Sequence, residues 1–138
     1  MSAEHMLFLV VLFFIMLFII ATGYAYYSYK KHIQDYTIFL QEYRRNGLYV
    51  DSISNVSENF GFAFYYLKIM FFIRLLKNKK MYVEKGKPVE RRCYDYMKSL
   101  PEEQIAWMRS WRVNFFVQAV LFVTSVALVY IHSVIYNY

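Results

Sequence analysis

Two long runs without a charged side chain bracket the chain. From Met6 to Tyr29 there are 24 positions without Asp, Glu, Lys or Arg, and the stretch from Leu7 to Ile20 is apolar on every helical face. At about 1.5 Å per residue this run reaches ~36 Å, more than a hydrocarbon core of about 30 Å. The second run, Val113 to Tyr138, is free of charge for 26 residues. The pattern predicts transmembrane helices over 6–29 and 113–136. Ser2-Ala3-Glu4-His5 carries no Lys or Arg, and the first run continues into Gly23-Tyr24 rather than ending at small residues. An uncleaved anchor is therefore expected in place of a removable signal peptide.

The segment between them, 30–112, has helical periodicity of a different kind. Tyr26, Tyr29, Ile33, Tyr36, Leu40 and Tyr43 recur at three and four residues, so the first helix is expected to continue to about residue 46, where Asn46-Gly47 supplies a stop. Asn55-Val56-Ser57-Glu58 has capping-box spacing and predicts a helix over 56–77 with Asn55 as its cap. Lys68 and Arg74 interrupt that aromatic-rich stretch. A third span would hold Lys68 near mid-bilayer at a cost of about 2.5–3.5 kcal/mol, so an amphipathic helix lying at the membrane interface is preferred. Lys85-Gly86 reads as a turn and Pro88 as the opening of the next helix. Val89, Cys93, Tyr96 and Leu100 share one apolar stripe there. Ser99-Leu100-Pro101-Glu102 predicts a last helix from near Leu100, running unbroken into the second span. The fold class expected is an all-α membrane protein: two transmembrane helices at the ends and a basic, mostly helical cytoplasmic middle.

Charge supplies the orientation. All 16 Lys and Arg, and nine of the 10 acids, lie between Lys30 and Arg112. By the positive-inside bias the middle faces the cytoplasm and both termini face out. Hydrophobic residues make up 59% of the chain and aromatics 22%, which sets it apart from an ordinary soluble domain. One Cys excludes an internal disulfide, and one Cys with three scattered His disfavours a structural zinc site. His5 and His132 are expected at the same outer surface, yet each is a lone imidazole at the end of a span, so no haem or other cofactor is expected. No phosphate-binding loop, zinc signature or nucleophile–base arrangement is present, and neither span carries an ionisable acid or base that would mark an ion path. Neither an enzyme nor a metal site is predicted. The interleaved basic and aromatic residues suit an anionic lipid leaflet better than nucleic acid.

The Tyr26-Tyr27-Ser28-Tyr29 exit from the first span, Tyr82-Val83 followed by Gly86-Lys87-Pro88, and Arg109 and Arg112 leading into Val113-Asn114-Phe115-Phe116 give a layout that resembles the universal stress protein B family. These are small two-span bacterial inner-membrane proteins with a basic cytoplasmic middle. The resemblance implies an inner-membrane location and an association with stress, and that family has no defined catalytic site to transfer.

The function expected from these features is that of a non-catalytic accessory, assembly or stabilising subunit of a larger membrane complex, respiratory or transport. Other integral membrane subunits and membrane lipids are the partners, no nucleic acid is involved, and homo-oligomerisation is left open. Exposed apolar surface of this extent marks interfaces. The contact candidates are Trp107, Trp111, Phe115, Phe116 and Gln118 on the second long helix, with Phe62, Tyr65, Tyr66, Ile69 and Phe72 in the interfacial one. The alternative is a membrane-tethered regulatory module that binds anionic lipid or an acidic cytoplasmic partner through Lys77, Lys79, Lys80, Lys85, Lys87, Arg91 and Arg92.

Overall fold

The computed structural model describes residues 2–136 and is mostly helical; Asn137 and Tyr138, the end of the second apolar run, lie outside the described residues. Helix α1 (Ala3–Arg45) is followed by α2 (Ser52–Ser57), a single 3-10 turn (Phe62–Phe64), α3 (Tyr65–Leu76), a hairpin of β1 (Tyr82–Glu84) and β2 (Lys87–Pro88), α4 (Arg91–Ser99) and α5 (Glu102–Tyr136). The chain forms two compact units, one of residues 2–27 and 113–136 and one of Ser28–Arg112. Both α1 and α5 contribute to each.

In the apolar unit, α1 and α5 are long and apolar enough to cross a membrane. The most hydrophobic 18-residue window of each is only 6% buried, whereas the core helix of a soluble protein is mostly buried. Phe8 faces His132 at 6.3 Å, Phe18 faces Phe122 at 5.7 Å, and Gln118 Nε2 donates to Thr22 Oγ1 at 3.0 Å. Each step up one helix is matched by the same step down the other, so the two run antiparallel.

The middle unit is built on the stripe that periodicity assigned to α1. Tyr29, Tyr36, Leu40 and Tyr43 are buried, joined by Phe39. Asn46 and Gly47 end the helix, Gly47 at φ +70°, where a side chain would be strained. Facing the stripe are Tyr65, Ile69 and Phe72 of α3, Cys93 and Met97 of α4, and Ile105, Trp107, Met108 and Trp111 of α5. Phe72 meets Phe39 edge-on at 4.8 Å and Tyr43 at 5.1 Å, while Trp107 and Trp111 lie 4.9 Å apart. Rings in such T-shaped pairs gain beyond the area they bury.

Several local expectations are corrected. The helix expected over 56–77 is broken in two. Asp51, not Asn55, caps α2, its carboxylate accepting from the Ser54 amide at 3.1 Å; the Asn55 side chain instead takes a hydrogen bond from Arg44 at 2.7 Å. With α2 started early, Glu58 ends it and pairs with Arg44 at 2.8 Å. Pro88 sits in the hairpin opposite Tyr82, because the ladder continues to the Val89 amide on Met81 O at 2.9 Å, and α4 opens only at Arg91. Ser99 closes α4, its hydroxyl donating to Tyr96 O, so it is not the cap of α5.

The largest departure is α3. At 12 residues it is about 18 Å long, too short to span, and seven of its residues, including Lys68, are buried. Lys68 is 1% exposed. Its Nζ donates to Ser57 O at 2.6 Å and Glu58 O at 3.4 Å, the C-terminal carbonyls of α2, and lies 5.3 Å from the centre of the Tyr36 ring. A helix C-terminus and an aromatic face both favour a cation. Desolvation by burial pulls the ammonium below its ordinary pKa, with Glu58 opposing. Lys68 therefore ties α3 to α2 instead of reaching for headgroups.

Lys68→Ala should strip those two carbonyls of their donor and open a cavity, costing about 2–4 kcal/mol, while Lys68→Met, which keeps the volume, should cost less. Thermal melts followed by circular dichroism check the order; a loss no larger than that of Lys79→Ala, at an exposed position, would contradict it.

Candidate docking surface

The basic residues picked out by the sequence converge between the end of α3 and the start of α4. Lys77, Lys79, Lys80, Lys85, Lys87, Arg91 and Arg92 are all exposed. Asn78 organises their backbone. It takes a left-handed conformation, φ +58°, and caps α3, its amide bonding Leu75 O while the Lys79 amide bonds Arg74 O. Its Oδ1 accepts from Arg91 Nη1 and from Lys98 Nζ, each at 3.1 Å. Gly86, at φ +83°, turns the hairpin and puts Lys85 and Lys87 beside its tip.

The pairing of these cations is uneven. Arg92 holds Glu90 at 2.8 Å, Lys87 approaches Glu84 at 3.6 Å and Arg91 approaches Asp95 at 3.6 Å. Lys77, Lys79, Lys80 and Lys85 form no ion pair among the described residues. Arg92 also donates to Gly47 O at 2.9 Å, which fixes its place in the unit: Gly47 lies about 29 Å along the helical path from Ser28. The chain joins the apolar helices at the other end, where Trp111 Nε1 donates to Ser28 O at 3.3 Å. Arg92 thus sits beside the C-terminal end of α1, whereas Lys77 lies close enough to Arg112 to feel its charge.

The aromatic contact candidates divide by unit. Trp107, Trp111, Tyr65, Ile69 and Phe72 are buried in the middle unit against one another and α1, so their faces are taken by this chain. Phe62 and Tyr66 are half-buried. Phe115, Phe116 and Gln118 belong to the apolar unit; Phe116 is exposed, and Gln118 bonds Thr22. His5 and His132 do share one end of the apolar unit, lining a cavity of about 770 Å³ with Glu4, Phe8 and Ser133. Cys93 is buried. Among the described residues no three His, Cys, Asp or Glu side chains are grouped to hold a metal.

Tyr36, Tyr43 and Tyr65 are pushed well above the ordinary tyrosine pKa, in each case chiefly by burial. Tyr43 OH is engaged with Tyr49 O at 2.6 Å. They stay neutral in the core, the Tyr36 hydroxyl without a hydrogen-bond partner among the described residues, and offer no acid or base poised for proton transfer near pH 7.

Sequence reasoning missed Asn78 and Lys68. Asn78 had a usable signal, since Asn tolerates the left-handed cap just after a helix; Lys68 had none, because its partners are backbone carbonyls. Compared with known proteins, the chain matches no family model, no curated protein and no solved structure at a significant level.

Asn78→Gly keeps the left-handed cap but removes the amide that gathers Arg91 and Lys98, and should cost under about 1 kcal/mol. Asn78→Ala adds the left-handed penalty of about 1–2 kcal/mol. Melts of the two variants should rank alanine as the worse; equal losses or the reverse order would contradict the left-handed cap.

Proposed function

We propose that the chain is a non-catalytic accessory protein, anchored in a membrane by α1 and α5, whose middle unit docks an acidic protein through Lys77, Lys79, Lys80, Lys85, Lys87, Arg91 and Arg92. The observation that carries this reading is the exposure of those cations, four of them without an ion pair among the described residues, with Arg92 tied to Gly47 O. The basic bias of the middle supports a cytoplasmic placement.

An acidic protein suits this surface better than anionic lipid: Asn78 holds Arg91 and Lys98, and Arg92 is tied to Gly47 O, so part of the charge pattern is fixed and matches a folded partner more than a fluid leaflet. A protein carrying carboxylates meets the surface at contact distance. If the resemblance to the universal stress protein B family holds, the setting is a bacterial inner membrane and the context is stress.

A second reading, subunit packing within the bilayer, rests on Asn114. Its Nδ2 is buried without a hydrogen-bond partner in a cleft of about 410 Å³ that is otherwise lined by Leu17, Ile20, Ala21, Tyr24, Val117 and Leu121. A neighbouring helix presenting an acceptor would satisfy it.

The discriminating experiment is purification from the native membrane in mild detergent, comparing the wild type with a variant carrying Lys79→Glu, Lys80→Glu and Lys85→Glu. Docking through the basic surface predicts an acidic partner in stoichiometric yield, released by raised salt and lost from the variant. A partner that survives both treatments but is lost from Asn114→Leu would overturn this reading in favour of bilayer packing.

A further inference from the structure

The middle unit holds a cleft of about 600 Å³ between α1, α4 and α5. Asp35 and Glu42 of α1 and Glu103 of α5 line it, and among the described residues no Lys or Arg does. In a chain with 16 Lys and Arg against 10 acids, this is a local reversal of charge. Like charges around one cavity repel, and a bound cation would turn that repulsion into attraction. The carboxylates are only loosely engaged. His32 Nδ1 donates to Asp35 at 2.8 Å, and Glu42 accepts from Arg45 at 2.9 Å across one turn of α1, the Arg45 side chain being 74% exposed. Exposed pairs of this kind contribute little and exchange readily. Glu103 forms no ion pair among the described residues.

The floor of the cleft is aromatic. Phe39 and Trp107 are buried and meet edge-on with ring centres 6.3 Å apart, and the indole is held by its Nε1 donating to Gln104 O at 2.8 Å. Tyr96 of α4 is half-buried in the wall; burial and the Glu42 carboxylate push its hydroxyl above the ordinary tyrosine pKa, which sets Glu42 near it. Asp35, Phe39 and Glu42 recur at four and three residues, so they share a face of α1, with the two carboxylates about 10 Å apart along the axis and the phenyl ring between them. Trp111 meets Tyr29 and Tyr36, whereas Trp107 meets Tyr36 and Phe39, so α5 descends as α1 rises. Glu103, one turn before Trp107, therefore falls toward the Glu42 end. The cleft thus has a carboxylate end at Asp35, a second at Glu42 and Glu103, and aromatic rings between.

We propose that this cleft binds a linear aliphatic polyamine, with one terminal ammonium at Asp35, the other at Glu42 and Glu103, and the methylene chain laid over Phe39 and Trp107. Ammonium groups form charge-assisted hydrogen bonds with carboxylates, and aromatic faces accept both methylenes and an inner ammonium. The spacing selects the ligand class. No three His, Cys, Asp or Glu side chains among the described residues are grouped to hold a metal ion, so the charge to be bound is spread along a chain and not concentrated at a point. A monoamine reaches one end of the cleft only. The site is distinct from the basic surface, and the inference does not depend on the acidic partner proposed for that surface.

Isothermal titration calorimetry of the full chain in nonionic detergent tests it, with spermidine as the probe and butylamine, magnesium and a tetralysine peptide as comparison titrants. Spermidine should bind as a single molecule per chain and weaken several-fold as salt is raised. Asp35→Asn and Glu103→Gln should each weaken it about tenfold, the loss of one charged hydrogen bond, whereas Glu84→Gln on the hairpin should leave it unchanged. Circular dichroism confirms the fold of each variant. Butylamine should bind at least about tenfold more weakly than spermidine, because it lacks the second ammonium. No saturable heat from spermidine, or an affinity indifferent to both cleft variants, would overturn the site. Magnesium or butylamine binding as tightly as spermidine would overturn the spanning polyamine, and tighter binding of tetralysine would overturn it in favour of a basic peptide.

Discussion

Trp111 has no exposed surface and lies among the rings of Tyr29, Tyr36, Tyr65 and Trp107, with its indole N–H on Ser28 O. One side chain thereby fixes α1, α3 and α5 together at the end of the middle unit where the chain crosses to the apolar helices. Burying an aromatic of this size contributes roughly 4–6 kcal/mol of gross transfer free energy at about 25 cal/mol per Å². The hydrogen bond adds direction to what would otherwise be a greasy contact. Further along α1 the same packing repeats as Trp107 on Tyr36 and Phe39, then Phe72 on Phe39 and Tyr43.

Because the core consumes these aromatics, what remains outside is sorted by position. Lys77, Lys79, Lys80 and Lys85 are exposed and without an ion pair among the described residues, and Arg92 bonds Gly47 O. Phe60 and Phe64 are exposed on either side of Phe62, which packs on Tyr29. A cleft lined by Asp35, Glu42 and Glu103 together with His32 opens between α1, α4 and α5, with Glu42 paired to Arg45.

Much of this was readable from the chain. Absence of charge over 24 residues identifies the first apolar run, and the three-and-four spacing from Tyr29 to Tyr43 marks the face of α1 that is buried. Gly47 and Gly86 both take the left-handed conformations their contexts call for. Where the reading failed, the deciding partner was distant or was backbone. Lys68 reads as a surface or headgroup cation because periodicity cannot register the carbonyls of Ser57 and Glu58. Asn55 has good capping spacing, but Asp51 lies one turn earlier and captures the Ser54 amide first. Trp107 and Trp111 look like a membrane belt by their place just before an apolar run; only the continuation of α1 past Tyr29 provides rings to bury them. The same aromatic excess that suggested a partner subunit is therefore largely satisfied inside the chain.

Trp107 and Trp111 are the two tryptophans of the protein, so its intrinsic fluorescence reports directly on whether that aromatic core is closed. The most direct measurement is quenching in reconstituted vesicles by a water-soluble quencher and, separately, by brominated lipids. A self-packed core predicts emission shielded from both. Strong quenching by brominated lipid would place the two indoles against the bilayer and contradict the account.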